Sequence, residues 1–86
     1  MKNLEKLLKA LANKRRLAIL KYLKNNKEAS VSEIAEAISL SFKSTSRHIR
    51  ILLSVSVLDR EQRALSVYYC LDKNISSLLK LILSML

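Results

Sequence analysis

The fold of this chain is decided by residues 30–54, which read SVSEIAEAISLSFKSTSRHIRILLS. Ser30 and Glu33 have the spacing of a capping box, in which each side chain bonds a backbone N–H near the other, and this predicts a helix beginning at the next residue. Ser41 can cap a second helix with its hydroxyl oxygen. Two helices joined by about three residues indicate a helix-turn-helix at about 31–54.

Two further helices are predicted before this unit. Apolar residues recur with helical spacing over about 3–12, so that a leucine stripe forms one face of the first helix. The spacing is interrupted at Asn13, whose side-chain oxygen can cap the second helix. A stretch without apolar residues at 24–28 predicts the loop that follows the second helix.

After the helix-turn-helix the spacing of the apolar residues is no longer helical. Residues 57–71 place β-branched and aromatic residues around a charged centre, which predicts a β-hairpin. The expected turn at 62–65 lacks Gly, Asn and Asp, so we expect a loop longer than two residues. The last segment, about 74–86, is predicted to be a helix whose only charge is Lys80, and a helix that is apolar all round must be covered on more than one side.

The element order is therefore α-α-α-α-β-β-α. It predicts one mainly α domain over residues 1–86 with a small β-hairpin, a winged helix-turn-helix. The chain has 86 residues, of which half are apolar, and such a short domain is marginally stable alone. We therefore expect a homodimer.

Composition excludes several classes of protein. Sixteen Lys and Arg against seven Asp and Glu give a net charge of +9, while the apolar half of the chain excludes a disordered basic tail. The chain contains no Gly, which removes the phosphate-binding glycine loops of nucleotide enzymes. We find no catalytic constellation and expect no enzyme and no cofactor.

A single cysteine, no signal peptide and no apolar run of about 20 residues predict a cytoplasmic protein without a membrane span.

Four strings, in order, resemble the ArsR/SmtB family of winged-helix transcriptional repressors over about residues 5–83. The matching strings are Leu8–Asn13 running on to Arg16–Leu20, like ALADPTRLxIL; Val31–Ala35, like VSELA; Leu40–Leu52, like LSQSTVSRHLxxL; and Val67–Tyr69, like the wing's VYYxL. The resemblance implies a homodimer that binds a pseudo-palindromic operator in double-stranded DNA and blocks transcription.

The chain departs from the metal-sensing members of that family. Ser30 and Ser32 stand where those members have cysteines, and the last helix contains none of the Asp, His and Glu that form the family's other zinc site. We therefore expect no metal. The family's usual glycines, after the recognition helix and at the wing tip, correspond to Ser56 and Ala64.

The expected DNA-binding surface lies mainly on the fourth helix, which combines cations for phosphate with side chains that can reach base edges. The candidate residues are Phe42, Lys43, Ser44, Ser46, Arg47 and Arg50, with Arg60 and Arg63 in the hairpin. A solvated hairpin tip is an equal alternative for the last two. We expect His48 to be a partly buried helix residue and Arg16 to pair with Glu33 or Glu36.

The expected dimer interface combines the first and last helices, which the family also uses. Its candidate residues are Leu4, Leu7, Leu8, Leu11, Ile75, Leu78, Leu79, Ile82, Leu83 and Leu86. A twofold dimer would set two recognition helices about 34 Å apart, in successive major grooves.

Three alternatives remain open from the sequence. The fold can serve as a non-catalytic protein-interaction or assembly module, a repressor can respond to redox state through Cys70, or basic leucine-rich ends can bind a membrane surface. We expect Cys70 to be a small apolar core residue. The excess of Lys and Arg over Asp and Glu disfavours the assembly module.

Overall fold

The computed structural model describes residues 2–86, which form five helices and a two-stranded antiparallel sheet. The helices are α1 (Lys2–Leu11), α2 (Lys14–Asn25), α3 (Val31–Ala37), α4 (Phe42–Ser54) and α5 (Ser77–Ser84). The strands are β1 (Leu58–Arg63) and β2 (Ser66–Leu71). This order confirms the predicted architecture. Within the described range no helix combines the length and the apolar character needed to cross a bilayer.

Side-chain caps begin the helices where the sequence predicts. The Asn13 side-chain oxygen accepts from the backbone N–H of Arg15 at 2.9 Å. At α3 both bonds of the capping box are present: the Glu33 N–H donates to the Ser30 hydroxyl at 3.2 Å, and the Ser30 N–H donates to the Glu33 carboxylate at 2.9 Å. At α4 the Ser41 hydroxyl accepts from the backbone N–H of Ser44 at 3.1 Å. These local bonds satisfy backbone donors that a helix start leaves without partners.

One hydrophobic core joins the helices to the base of the hairpin. Its most deeply buried side chains come from α2, α3, α4, the segment before β1, and α5; they are Ile19, Leu20, Ile34, Ile49, Leu52, Val57 and Leu79. Because α4 packs on α2, α3 and β1, its orientation is fixed from three sides.

The last helix is shorter than predicted. It begins at Ser77 rather than near residue 74, because the Ser76 hydroxyl caps it by accepting from the Leu79 N–H at 3.2 Å. Just before it, the N–H of Asn74 donates to the Asp72 carboxylate at 2.8 Å, which forms a turn. These side-chain bonds compete with helix formation over the residues that the apolar pattern assigned to the helix.

The hairpin turn contradicts the expectation of a longer loop. Strand pairing runs from Leu58 opposite Leu71 to Arg63 opposite Ser66, which leaves only two residues in the turn. The first of them, Ala64, has φ of 53°, the left-handed region that favours glycine. Six cross-strand pairs, each contributing roughly 0.2–1 kcal/mol, outweigh the strain of that one alanine.

A contact outside the named strands also holds the hairpin in place. Ala29, in the loop before α3, forms an antiparallel bridge with Tyr69 of β2 through two backbone hydrogen bonds of 3.0 and 2.8 Å. The sequence does not predict this bridge, because one residue of strand-like pairing carries no periodic signal. The bridge connects the wing to the helix-turn-helix.

Both positions that correspond to family glycines have a left-handed backbone. Ser56, between α4 and β1, has φ of 61°, and Ala64 has φ of 53°. A residue with a Cβ atom loses roughly 1–2 kcal/mol in this region, whereas glycine adopts it without that cost. The chain therefore carries backbone strain just before the hairpin and at its tip.

We predict that Ala64→Gly and Ser56→Gly each raise the free energy of unfolding by about 0.5–1 kcal/mol, the relief of strain less the greater chain entropy of glycine. Urea unfolding followed by circular dichroism measures the change. Ala18→Gly, in the middle of α2, is the control and should lower stability by about 1 kcal/mol. Destabilisation by all three substitutions would contradict the assignment of strain.

Candidate nucleic-acid interface

The outward face of α4 forms an open, basic groove. Its lining residues are Phe42, Lys43, Ser46, Arg47 and Arg50. The opposite face of the same helix is buried through Thr45, Ile49 and Leu52. The 3.6-residue period thus separates a core face from a polar face on one helix. Ser44, in the first turn, is half-buried beside this groove.

The cations of α4 are available to an external partner. Lys43, Arg47 and Arg50 are exposed, and α4 contains no acidic residue. Among the described residues, the ion pairs lie elsewhere, at Lys9 with Glu5 and at Arg63 with two glutamates. Three positive charges on one open face can neutralise phosphates, and arginine and lysine can donate to guanine O6 and N7.

Arg63, one of the two candidate arginines of the hairpin, is held by carboxylates. Its guanidinium donates two hydrogen bonds to Glu28, one of them at 2.7 Å, and two of 3.2 Å to Glu61. It also lies over the ring of Tyr68, 4.9 Å from the centroid. The hydrogen bond from Arg63 lowers the pKa of Glu28 below its ordinary value. By contrast, Arg60 is exposed and takes part in none of the ion pairs found among residues 2–86.

Arg16 joins α1 to α4, and the expectation that it pairs with Glu33 or Glu36 is wrong. Its guanidinium donates to the backbone carbonyl of Ala10 and to that of Lys9, at 3.4 Å for the latter. These carbonyls lie in the last turn of α1, where helix carbonyls lack partners within the helix. The remaining nitrogen of Arg16 lies 3.3 Å from Nδ1 of His48 on α4.

His48 is half-buried on α4, which confirms the prediction of a partly buried helix histidine. Burial, reinforced by the positive charges of Arg16, Arg47 and Arg15, lowers its pKa below the usual 6.5. The imidazole is therefore neutral at pH 7. Because the guanidinium of Arg16 can only donate, Nδ1 accepts this hydrogen bond and the ring proton lies on Nε2.

The first and last helices carry an apolar surface, but not all of the predicted interface residues belong to it. Leu11, Leu79 and Leu83 are buried in the core of the same subunit, at 5%, 2% and 6% exposure. Buried side chains offer no surface to a second chain, so these three support the surface from beneath. The exposed members are Leu4, Leu8 and Leu78, and the half-buried ones are Leu7, Ile75, Ile82 and Leu86.

Cys70 lies half-buried on β2, less deeply than the predicted core position. Burial, followed by the negative charge of Asp59, raises the pKa of its thiol, which keeps the sulfur protonated at neutral pH. Over residues 2–86, no three side chains of His, Cys, Asp or Glu come together as a metal site.

Sequence comparison relates the chain to a family of regulators. Residues 13–55 match the family described as bacterial regulatory protein, arsR family. The chain is also 39% identical, over 66 residues, to the transcriptional activator HlyU of Vibrio cholerae. That match covers 77% of this chain and 60% of the relative, so the chain spans less than two thirds of the curated relative's length.

Solved structures share the fold along nearly the whole chain. Reduced HlyU from Vibrio cholerae has a TM-score of 0.82 at 33% identity, covering 98% of this chain and 84% of that one. The homodimeric winged helix-turn-helix DNA-binding domain of Mb0332 from Mycobacterium bovis has a TM-score of 0.85 at 27% identity, covering 98% and 78%. The repressor PagR of Bacillus anthracis has a TM-score of 0.81 at 25% identity, covering 98% and 92%. The winged helix-turn-helix fold is thereby confirmed.

The lowered pKa of His48 predicts a loss of stability in mild acid. The unfolded chain takes up the histidine proton near pH 6.5, before the folded chain does, so the free energy of unfolding falls as the pH drops from about 7 to 5. His48→Gln keeps an acceptor for Arg16 without titrating. Urea midpoints over this pH range should fall less steeply for the variant than for the wild type, and equal slopes would contradict the prediction.

Proposed function

The chain belongs to the ArsR family of bacterial regulatory proteins, and on that premise we propose that it is a transcriptional regulator that binds double-stranded DNA as a homodimer. The observation that carries the proposal is the outward face of α4. This face exposes three cations that form no ion pair within residues 2–86, on a helix that follows a capped turn and whose opposite face is packed in the core. A major groove about 12 Å wide admits such a helix.

Each side chain of this face has a role that follows from its chemistry. Lys43 and Arg47 donate to guanine O6 and N7, and the arginine can do so with two hydrogen bonds. Ser44 and Ser46 donate to a phosphate or a base edge, and Phe42, 59% exposed, contacts a thymine methyl group or a sugar. Arg50, one turn beyond Arg47, neutralises a phosphate.

In the hairpin, the two arginines differ in what they can give to DNA. Arg60 is exposed and can reach a flanking phosphate. Arg63 has its donors engaged by Glu28 and Glu61, so a contact with DNA would require it to leave two carboxylates. We therefore assign the phosphate contact of the wing to Arg60 and a positioning role to Arg63.

The apolar surface of α1 and α5 supports a homodimer. Leu8 is 47% exposed, Leu78 40% and Leu81 62%, and a second copy would cover these side chains around a twofold axis. The Mycobacterium bovis relative is described as homodimeric. Two recognition helices related by such an axis bind a pseudo-palindromic site.

Occupation of such a site near a promoter represses transcription by excluding polymerase. PagR is named a repressor and HlyU an activator, so a reporter placed behind the bound site distinguishes the two directions. We propose repression, in the cytoplasm, without a catalytic step, a metal or a cofactor. The protonated, half-buried thiol of Cys70 argues against redox control.

A gel shift with random duplex separates DNA binding from the alternative of an assembly module. DNA affinity must appear at low salt and decline as salt is added, because bound cations release counterions from the phosphates. An assembly module would show neither effect.

We predict that Arg47→Ala and Lys43→Ala each lower the ratio of the affinity for a specific duplex to the affinity for random duplex. Each contact with a guanine contributes roughly 1–3 kcal/mol of discrimination, so affinity for a duplex selected from a random library should fall about 5- to 150-fold, and affinity for random duplex much less. Fluorescence anisotropy measures both affinities. The thermal midpoint should stay unchanged, since both side chains are exposed.

The control for this prediction is Lys24→Ala, which removes one exposed charge from α2 rather than from α4. Any loss of affinity that this substitution causes should be equal for all duplexes. Equal losses on all duplexes for Arg47→Ala as well would overturn the assignment of base contacts while leaving DNA binding intact.

We predict that Leu8→Glu dissociates the dimer, because it places a charge in the proposed apolar interface. Sedimentation equilibrium of the wild type should give twice the subunit mass of 9.8 kDa, and the variant should give the subunit mass. Leu65→Glu, at a fully exposed position on the hairpin, is the matched control and should leave the mass doubled. A monomeric wild type would refute the proposed dimer.

A further inference from the structure

The tip of the wing is an exposed leucine on a tight turn. Leu65 is 100% exposed, more than any other large apolar side chain among the described residues. It follows Ala64 in a two-residue turn closed by the pairing of Arg63 with Ser66. A two-residue turn in this register gives the tip little freedom, so the leucine is held outward.

The tip lies on the same side of the molecule as the basic groove of α4. Leu65 lines a groove together with Phe42 and Ser46, and Val31 and Val67 contribute apolar walls. Phe42 and Ser46 also line the basic groove of α4. The apolar tip is therefore continuous with the surface that carries the exposed cations.

The tip itself offers no free positive charge. Residues 64–66 are uncharged, and the neighbouring guanidinium of Arg63 donates to the carboxylates of Glu28 and Glu61. A cation inserted into a narrow minor groove is one way in which proteins read DNA shape. Here the carboxylates of Glu28 and Glu61 hold Arg63, which leaves the fully exposed Leu65 as the group that the tip offers to a partner.

We propose that Leu65 inserts into the minor groove beside the major groove that α4 occupies, and acts there as an apolar wedge at a flexible pyrimidine–purine step. This rests on the proposed DNA binding by α4. The major and minor grooves of a duplex alternate across each sugar–phosphate strand. When that strand lies in the protein groove between Phe42 and Leu65, α4 occupies the major groove on one side and Leu65 faces the minor groove on the other. The duplex that the α4 cations attract is thus the occupant of the surface between Phe42 and Leu65.

The chemistry of leucine determines what such a contact can select. An apolar side chain forms no hydrogen bonds with base edges, but it can press between two bases and partly unstack them. Steps such as TA and CA deform with the least energy, so they should be preferred at the position of the wing. Leu65 would therefore add specificity outside the bases that α4 contacts, through the stiffness of the DNA.

Parallel selections from a random duplex library test this inference. Wild type and Leu65→Met, which keeps a long apolar side chain, should enrich the same central bases and also pyrimidine–purine steps at a fixed distance from them. Leu65→Ser should keep the central preference and lose the flanking one. Its affinity for the duplex selected by the wild type should fall about tenfold, with an unchanged thermal midpoint.

A fluorescence measurement identifies the wedge directly. With 2-aminopurine placed at the flanking step, wild type and Leu65→Met should raise its emission by unstacking it, and Leu65→Ser should not. Equal flanking profiles and emission for all three proteins overturn the role of Leu65, and so does a loss for Leu65→Ser that is uniform over all duplexes. Failure of the wild type to bind any duplex instead overturns the proposed function itself.

Discussion

The structure depends on the burial of one stripe of α4. Thr45, Ile49 and Leu52 are at most 1% exposed, and they pack the helix against α2, α3 and β1. Side chains that project from the other face inherit their direction from this packing, because a helix is a rigid rod over a few turns. The position of Lys43 and Arg47 is therefore a property of the hydrophobic core as much as of the surface.

The charged residues are distributed so that the outward face of α4 remains positive. Only seven residues of the chain are acidic, and Glu5, Glu28 and Glu61 are paired with cations that lie outside α4. The pairing at Arg63 also connects the hairpin to the loop before α3, where Ala29 bridges to β2. Glu28 and Glu61 thus hold the wing in place, and none of the ion pairs among the described residues involves a cation of α4.

Most features that depend on neighbours in sequence were predictable, with the start of α5 at Ser77 as an exception, and those that depend on distant residues were not. The caps at Asn13, Ser30 and Ser41 involve bonds over two or three residues, and each was found as expected. In contrast, Arg63 bonds Glu28 from 35 residues away and Arg16 contacts His48 from 32 residues away, and no pattern in the sequence distinguishes these two partners from other polar side chains. The turn at Ala64 shows a third case, in which strand register overrides the local preference for glycine.

The bonds of Arg16 have a consequence for the geometry of a regulatory site. They connect carbonyls in the last turn of α1, a helix of the proposed dimer interface, to His48 on α4. A dimer in which these bonds hold α4 against α1 would keep its two α4 helices at one separation and one relative rotation. Adding a single base pair between the half-sites turns one against the other by about 35°. We expect such a dimer to tolerate altered bases within a half-site more readily than altered spacing between half-sites.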